Sequence, residues 1–464
     1  MEVSKRLFGP RRFYLGALSI ALPIMLQGVI QSMVSLIDNF MVSGLGDISM
    51  SGVNVSGHIT FIFMVYLGAI ATSGGIFLTQ YCGAKDKEGM SQAFRFKLVM
   101  GLAAFIPYFL VCFVFPRQVL SLMLIGNTQA DMILDEAVRY IRIMTIVGPP
   151  MTVSFCIASS LRDMGNVKIP LVITAVAMIT NTIFNWLLIY GNLGFPMLGV
   201  EGAAYATLIS RSLEFILFVG VYIKLKPEFR IVKKGRSFIR EFFRIDGKIF
   251  KNILKKGLFV LFCDMVWVLS ETVTSAIYNG RGGADVVSGM AASFVIADLF
   301  FVAFEGISSS TAVLLGKVLG SGDLSKARQE KRWLLSGAAV FGLIMVAIAM
   351  SSALLIPVVF GKLSVSAITI ARNMVFIMAL FMPLWVYMNA QQSVARAGGD
   401  TVMGAVGDMS VTIVIMLPFV ILIGIYTSVG PVMLFMYVKL IDIIKVVIFH
   451  FWLKKGRWLK NLTK

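Results

Sequence analysis

Twelve long apolar segments divide this chain of 464 residues, and they constrain its fold more than any other feature of the sequence. Each is long enough to cross the hydrocarbon core of a bilayer as a helix, which takes about 20 apolar residues. Hydrophobic residues make up 58% of the chain and charged residues 14%. The sequence therefore predicts an all-α polytopic membrane protein. The predicted segments are residues 13–43, 49–82, 94–116, 133–160, 168–191, 200–224, 257–281, 285–316, 332–358, 373–395, 402–424 and 430–453.

Basic residues are concentrated in the loops and tails that face the cytoplasm if both termini lie inside. The chain has 42 Lys and Arg residues and a net charge of +18. This distribution follows the positive-inside rule, so the charge sets the topology and does not indicate a nucleic-acid partner. We expect a multi-pass protein of the plasma (inner) membrane with both termini in the cytoplasm. The basic residues in the predicted outer loops are Arg117, Arg281, Lys362 and Arg372.

No pattern typical of a catalytic or metal centre occurs in the sequence. The four cysteines stand apart in apolar segments, and His58 and His450 are isolated, which argues against a metal cluster or a disulfide framework. No HExxH, GxSxG or GxxxxGK[ST] motif is present. We therefore expect a protein that is not an enzyme, has no cofactor, and draws energy from a gradient of H⁺ or Na⁺.

The two halves of the chain repeat one another. Gly83, at the end of the second segment, recurs as Gly320, and matched positions keep a constant separation up to that point. The loop after Gly320 is slightly shorter than its counterpart, so the separation decreases there and is constant again afterwards. Six segments per half is an even number, so both halves enter the membrane from the same side and the repeat is parallel. The other matched motifs are Gly46-x5-Gly52 with Gly283-x5-Gly289, and Pro149-x12-Arg162-x2-Gly165 with Pro383-x12-Arg396-x2-Gly399.

These features predict three regions. A six-helix bundle occupies residues 1–225, a basic cytoplasmic linker residues 226–250, and a second six-helix bundle residues 251–464. In the linker, apolar residues lie among basic ones, as in a helix that rests on anionic lipid headgroups. Two parallel bundles joined by one linker suit transport by alternating access, with the substrate bound between them.

Asp38 lies within the first apolar segment, six residues before Gly44. A carboxylate at the bilayer centre costs about 2.5–3.5 kcal/mol on insertion scales, so this position indicates a site for cations or protons. The alternative is a carboxylate that reaches the outer interface or pairs with a donor. Asn181 and Asn185 project from one face of the fifth segment, and Asn185 precedes Gly191 by six residues, which predicts a depth similar to that of Asp38. The alternative role for these amides is hydrogen bonding between helices.

The chain resembles the multidrug and toxic compound extrusion (MATE) family, of the MOP flippase superfamily, over essentially its whole length. The resemblance rests on the six-plus-six arrangement, on LIDNFMVSGLG at the end of helix 1, on the Pro…Arg-x-x-Gly pair in helices 4 and 10, and on FNWLLIYGNLGFPMLGVEGAAYATLIS in helices 5 and 6. It implies two bundles that form a V-shaped cleft, and an antiporter that exports amphipathic, often cationic drugs in exchange for Na⁺ or H⁺. The alternative is a flippase for lipid-linked oligosaccharides, whose cleft should carry several Arg or Lys residues to hold pyrophosphate.

The resemblance also implies a coupling site. In this family one cation site lies in the first bundle, around the helix 1 acid and a polar pair on helix 5, which match Asp38, Asn181 and Asn185. One carboxylate with amide carbonyls is an oxygen set suited to Na⁺, so these three residues would be metal ligands if Na⁺ is the coupling ion. The same acid, removed from water, can bind H⁺ instead. The second helix 5 position is often Asp in the family and is Asn here, so the resemblance does not determine whether the coupling ion is Na⁺ or H⁺.

Acidic residues of the second half form a candidate substrate site or second cation site. Glu271 matches a carboxylate that the NorM-type branch of the family uses for coupling, although helix 10 lacks the acid found in that branch. Acids without a nearby basic partner should attract cationic drugs, and Glu271 and Glu305 are the strongest candidates. Glu214 and Asp442 have basic residues close in sequence and should be neutralised locally. The candidate residues are Glu271, Glu305, Asp264 and Asp298.

The expected partners follow from this assignment. They are small amphipathic drugs, a monovalent cation and membrane lipids, and we expect the protein to act as a monomer. A compact antiporter without a glycosylated outer domain is typical of prokaryotes.

Overall fold

The computed structural model describes residues 7–125, 129–225, 227–230, 241–361 and 363–463. Within these ranges the chain is helical and contains no strand, which confirms the all-α prediction. Residues 226 and 231–240 of the predicted linker, and Lys362 of a predicted outer loop, lie outside the described residues.

Helices fill all twelve predicted segments. In the described part of the chain, ten are long and apolar enough to cross a membrane. The helix α7 and the pair α12–α13 fill the remaining two predicted segments. The helices are α1 (Arg11–Ser43), α2 (Asp47–Gly83), α3 (Lys87–Phe109), α4 (Ala130–Asp163), α5 (Lys168–Tyr190), α6 (Val200–Leu225), α7 (Gly247–Asn279), α8 (Ala284–Ser321), α9 (Leu324–Ser352), α10 (Val365–Ala397), α11 (Gly404–Tyr426), α12 (Pro431–Leu440) and α13 (Asp442–Lys454).

Two helices contain wider turns. Helix α3 continues as a π-helix through Leu110–Val114, and α11 begins with π-helical turns at Gly404–Met409 and Thr412–Met416. Such turns shift the helix register and are frequent at functional sites. Shorter helical pieces connect the long helices at Pro116–Leu122, Asn192–Gly194, Ala353–Leu355 and Ile356–Val359.

The Arg-x-x-Gly motif of each half ends a helix. Gly165 follows α4 with φ +87°, and Gly399 follows α10 with φ +72°. In both places the glycine N–H donates to the carbonyl of the motif arginine at 2.8 Å, and the next N–H donates to the carbonyl one residue further back at 2.9 Å. This is the Schellman arrangement, which satisfies the last helical carbonyls and favours glycine because of its positive φ. The motif that marks the repeat is therefore a helix C-cap.

Glycines of the other repeated motif allow close helix crossings. A Cβ on Gly52 of α2 would lie 3.2 Å from the carbonyl oxygen of Ile133 on α4. A Cβ on Gly289 of α8 would lie 2.7 Å from the carbonyl oxygen of Ala367 on α10. Ala367 is the counterpart of Ile133 in the repeat, in the same register as Pro383 and Pro149. The same crossing therefore occurs in both halves, α2 on α4 and α8 on α10.

The described residues fall into two compact units. The C-terminal unit contains the chain up to Gly28, the segment Thr79–Asp86 and the chain from Lys255 onward, and its core follows α10, which packs on α8 and α9. The N-terminal unit contains Val29–Leu78 and Lys87–Leu254, and in it α6 packs on α4 and α5. These units have boundaries within α1 and α2. The boundary between the two predicted bundles lies instead at the linker.

Within the C-terminal unit, the ends of α2 and α8 cross almost in backbone contact. Gly83 faces the backbone carbonyl of Lys317, and Gly320 faces the backbone carbonyl of Gln80, each too closely for any Cβ. Lys317 is the counterpart of Gln80 in the repeat, as Gly320 is of Gly83. The crossing therefore has local two-fold symmetry: the two glycines are repeat counterparts, and so are the two residues that they contact.

Thr79 and Gln80 of α2 make the polar contacts at this crossing. A Cβ on Gly316 would lie 2.5 Å from Oγ1 of Thr79, its own repeat counterpart. The buried amide of Gln80 donates from Nε2 to the carbonyl of Ala397 at 2.8 Å, and its Oε1 accepts from the backbone N–H of Leu462 at 2.7 Å. The C-terminal end of the chain thus packs over the place where α2 meets α8.

Candidate functional site

Asp38 and the two asparagines of α5 meet inside the N-terminal unit. Asn185 donates from Nδ2 to Oδ1 of Asp38 at 2.7 Å. Asn181 and Asn185 are 7% and 2% exposed, while Asp38 is partly exposed. The helical spacing of four residues places both amides on the face of α5 that meets α1. The three residues that the sequence singled out therefore come together.

Asn181 brings a second amide to the carboxylate. Its nitrogen donates to both carboxylate oxygens of Asp38, at 3.1 and 2.9 Å. The other end of the amide lies 3.4 Å from Oγ1 of Thr207 on α6. Two amides of α5 therefore donate to Asp38, which suits a charged carboxylate.

A second contact fixes α1 against α5 beside this cluster. The hydroxyl of Tyr190 donates to the carbonyl of Met41 at 2.7 Å. Asp38 lies about one turn before Met41 on α1. An apolar groove with a volume of about 570 Å³ lies between the ends of the same two helices. It is lined by Phe40, Met41, Thr182, Ile183, Trp186 and Tyr190.

The oxygen atoms of the cluster fit a small hard cation. Asp38 supplies two carboxylate oxygens, and Oδ1 of Asn185 is buried without a hydrogen-bond donor. Carboxylate and amide oxygens are ligands of hard cations. Among the described residues no group of three or more His, Cys, Asp or Glu side chains could hold a metal ion, so a multi-carboxylate site is not formed there. The arrangement can hold one proton or one monovalent cation.

The predicted acids of the second half do not form one cluster. Glu271 and Asp264 lie on α7, and Asp298 and Glu305 lie on α8 with exposed side chains. Lys439 on α12 lies 3.2 Å from Oε1 of Glu271, so the expectation that Glu271 has no basic partner is wrong. For Asp298 and Glu305, the described residues supply no ion pair. These two remain unneutralised carboxylates on one helix.

Other predicted ion pairs are confirmed. Arg211 lies 2.7 Å from Oε2 of Glu214 in α6, and Lys445 lies 3.3 Å from Oδ1 of Asp442 in α13. Each of these acids pairs with a basic residue three positions away, as its sequence spacing indicates. They are therefore not candidates for the coupling site.

Asp408 is a functional candidate that sequence reasoning missed. It lies in the π-helical turn of α11, 2.8 Å from Nζ of Lys445, and accepts a hydrogen bond at 3.2 Å from Gln392 on α10. Trp385 on α10 donates from Nε1 to Asp442 at 2.9 Å. The available signal was an acid inside an apolar segment, which by itself marks a functional position in a membrane protein.

Two basic residues near the start of α3 are buried. The side chains of Arg95 and Lys97 are fully enclosed. Lys97 lies 2.5 Å from Asp163 at the end of α4, and Arg95 lies 3.1 Å from Glu241. These pairs fasten α3 to α4 and to the end of the described linker, so they have a structural role.

Comparison with known proteins identifies the family. The MatE family model matches residues 23–187 and 261–409, which is more than half of the chain. "Probable multidrug resistance protein NorM" of Mesorhizobium japonicum is 25% identical over 312 residues, covering 66% of this chain and 64% of that protein. The protein of the same name from Haemophilus ducreyi is 24% identical over 365 residues, covering 78% and 76%. The chain spans just under two thirds of the length of the first curated relatives that it matches.

Solved structures agree in fold. A crystal structure of MATE in complex with MaL6 superposes with a TM-score of 0.84 over 98% of both chains, at 18% identity. A MOP superfamily transporter from Pyrococcus furiosus, described by its reversed pocket polarity, superposes with a TM-score of 0.82 over 98% of both chains, at 17% identity. With the family model covering both halves, the chain belongs to the MatE family of multi-pass membrane transporters.

Proposed function

We propose that this protein exports small amphipathic, often cationic compounds in exchange for H⁺ or Na⁺ by alternating access. The observation that carries the proposal is the Asp38 carboxylate, held by Asn185 at 2.7 Å inside an apolar helix that is long enough to cross a membrane. A carboxylate inside a membrane-spanning helix is energetically costly, so its presence there indicates a functional position. The names of the NorM relatives support the class of substrate.

The amides of α5 supply a way for Asp38 to exchange its cation. With Asp38 charged, both amides donate to the carboxylate. If Asp38 gained a proton, one amide would turn its oxygen toward the new O–H donor. With Na⁺, an amide oxygen and the carboxylate would be ligands. Either ion would therefore change the contacts between α1 and α5.

The alternative function, a flippase for lipid-linked oligosaccharides, finds less support in the charges. Such a protein should present unneutralised Arg or Lys residues to a pyrophosphate. The intramembrane basic residues are Arg139, Arg142, Arg211, Lys439 and Lys445. Arg211, Lys439 and Lys445 each lie within 3.3 Å of a carboxylate oxygen, and Arg139 lies 3.7 Å from Glu136. For Arg142 the described residues supply no ion pair. Four of these five basic residues therefore face an acid that an anionic headgroup would have to displace.

The remaining parts of the proposal concern the protein's setting. We propose the inner membrane of a prokaryote, cytoplasmic termini and a monomeric transporter. The basic loops of the sequence support that orientation.

Ethidium movement in proteoliposomes tests the function. A Na⁺ gradient and a pH gradient are imposed separately on wild type, on Asp38→Asn, and on Asp47→Asn as a control for an exposed acid at the start of α2. We expect one gradient to drive dye movement in wild type and in Asp47→Asn, and neither to drive it in Asp38→Asn. Normal thermal unfolding of the variants shows that they are folded.

Two results would overturn the proposal. Export by Asp38→Asn at the wild-type rate would make the α1 acid structural. Failure of folded wild-type protein to move ethidium with either gradient would favour the flippase, and fluorescent lipid-linked sugars would then be the next substrate.

A further inference from the structure

Lys439 places its ammonium group in a setting that is typical of bound organic cations. Its Nζ lies 3.2 Å from Oε1 of Glu271, 5.2 Å from the ring centroid of Phe435 and 5.9 Å from that of Trp385. The side chain is 15% exposed, and all three partners belong to the C-terminal unit. A carboxylate beside aromatic rings is how proteins recognise ligands with a substituted ammonium group.

The aromatic part of this site continues beyond the rings that Lys439 contacts. Phe381 stacks on Trp385 with centroids 5.7 Å apart and an interplanar angle of 22°, and Phe301 meets Trp385 edge-on at 5.9 Å. Tyr278 meets Phe435 edge-on at 5.8 Å. Tyr278 and Phe435 are buried, whereas Phe301 and Phe381 are partly exposed. A cation larger than the ammonium of Lys439 would therefore gain apolar contacts with Phe301 and Phe381.

The charges around Lys439 leave room for one more positive charge. Arg396 lies 3.9 Å from Asp264, and Lys439 pairs with Glu271. Lys445 is shared by two acids, at 2.8 and 3.3 Å. Among the described residues of this network, four carboxylates therefore face three basic groups, and one negative charge has no basic group of its own. The two acids that share Lys445 are Asp408 and Asp442.

Glu271 is the more accessible member of its ion pair with Lys439. In this network the side chains of Glu271, Asp264 and Asp408 are 28–32% exposed and that of Arg396 is 31% exposed, whereas those of Lys439, Lys445 and Asp442 are 7–15% exposed. A dissolved cation can therefore reach the carboxylate of Glu271 more easily than it can reach the ammonium of Lys439.

Lys439 has a second acid within reach when its first is taken. Asp442 follows it by three residues, the spacing at which side chains on consecutive helical turns meet. A lysine has a flexible stem of four carbons, and Asp442 now shares its ion-pair partner Lys445 with Asp408. With a substrate cation on Glu271, movement of the ammonium toward Asp442 would give each of the four acids a positive partner.

We propose that Glu271, Trp385 and Phe435 form a binding site for a monovalent aromatic organic cation, and that Lys439 is its built-in competitor. The substrate displaces the lysine ammonium from Glu271, and the lysine returns when the substrate leaves. The site rests on the proposed function, for which it names where the cationic part of the substrate binds. Lys439 would lower the affinity of the site, which allows the substrate to be released.

Equilibrium binding of tetraphenylphosphonium to purified protein tests this site without any ion gradient. Lys439→Met removes the ammonium and keeps the length of the side chain, so we expect at least about tenfold tighter binding. Lys439→Arg should bind as wild type does. Lys331→Met is the matched control, because Lys331 also lies over a tryptophan ring, that of Trp458 at 5.5 Å; its affinity should not change.

A double variant shows whether the gain comes from the freed carboxylate. Lys439→Met with Glu271→Gln has no charge at the site and should lose the gain in tetraphenylphosphonium affinity. Binding of the neutral dye Nile red should be equal in all variants. Unchanged or weaker tetraphenylphosphonium binding by folded Lys439→Met, or a gain that persists with Glu271→Gln, would overturn the proposal.

The outcomes separate this site from the proposed function. If Lys439→Met binds tetraphenylphosphonium more tightly but wild type moves no dye in proteoliposomes, the site stands and the export function fails. If wild type exports ethidium and Lys439→Met shows no gain in affinity, the export function stands and the cationic substrate binds elsewhere.

Discussion

Nδ2 of Asn185 lies 2.7 Å from Oδ1 of Asp38, so a neutral amide of α5 is the direct partner of the acid in α1. No basic group lies between them, which distinguishes this pair from the paired acids of the second half. A neutral donor stabilises the carboxylate by a hydrogen bond but does not neutralise its negative charge. This neutral partner is consistent with the proposed exchange of a cation at Asp38.

Asn185→Ala should reduce gradient-driven export by about tenfold or more. Hydrogen bonds to charged groups contribute about 1.5–3 kcal/mol, and about 1.4 kcal/mol is a factor of ten. The initial rate of ethidium movement in proteoliposomes measures the loss. Asn192→Ala is the control, because that amide donates to the carbonyl of Trp186 near the same end of α5. Equal rates for both variants would contradict a role of Asn185 in coupling.

Lys85→Gly should stabilise the protein modestly. Lys85 ends α2 with φ +58°, whereas its counterpart in the repeat is Gly322, with φ +85°. A left-handed conformation costs a residue with a Cβ about 1–2 kcal/mol, although glycine also gains freedom in the unfolded chain. We expect a higher midpoint of thermal unfolding in detergent.

The reverse variant, Gly322→Lys, checks that prediction. Its Cβ would meet nothing closer than Asn461 at 3.8 Å, so the unfavourable φ should be the main cost. A lower midpoint is expected. If both variants unfold at the wild-type temperature, backbone strain at this turn is negligible.

Gly320→Ala should sharply reduce the amount of folded protein. Its Cβ would overlap the backbone carbonyl of Gln80, and a backbone cannot move aside as a flexible side chain can. Gly68→Ala on α2 should be tolerated, because nothing lies within 4 Å of the added atom. Size-exclusion chromatography of detergent extracts compares the yields. A normal yield for Gly320→Ala would mean that α2 and α8 can separate at little cost.

Asp323→Ala should lower stability at neutral pH but not at acid pH. Asp323 precedes α9, and its carboxylate accepts from the backbone N–H of Lys326 at 2.9 Å and from Ser325 at 2.7 Å. The backbone hydrogen bond from Lys326 holds the pKa of Asp323 below its usual value of 3.8. A lowered pKa means that the carboxylate stabilises the fold above pH 3.8 and loses this effect as the pH falls through the lowered value.

Thermal unfolding of wild type and Asp323→Ala across the acid range measures that effect. The difference between their midpoints should shrink as the pH falls. A difference that stays constant with pH would show that the charge of Asp323 does not contribute.

The sequence predicted the helices and the cluster around Asp38 for two separate reasons. Apolar length alone predicts a membrane helix, because a helix satisfies its backbone hydrogen bonds within a single segment, as lipid requires. The meeting of Asp38 with Asn181 and Asn185 followed from equal depth on two helices, together with the family resemblance.

The pairing of Glu271 with Lys439 could not be predicted in the same way. These residues lie on α7 and α12, and periodicity does not tell which helices are neighbours or how each is rotated. Asp408 was an acid visible in an apolar segment, but its contacts with Lys445 and Gln392 also depend on which helices are neighbours. The Arg-x-x-Gly motif was visible, but its role as a helix C-cap required the φ angles of Gly165 and Gly399.

The contact between Thr79 and Gly316 has a consequence for how the repeat evolved. Residues that touch their own counterparts would be identical in an ancestor assembled from two copies of one half. Two threonines would collide at this point, and two glycines would leave a gap. Once duplication joined the copies in one chain, one position could keep a side chain while the other became the space that receives it. A fused gene can encode such an asymmetric pair, whereas a homodimer cannot, because its two chains carry the same residue at equivalent positions.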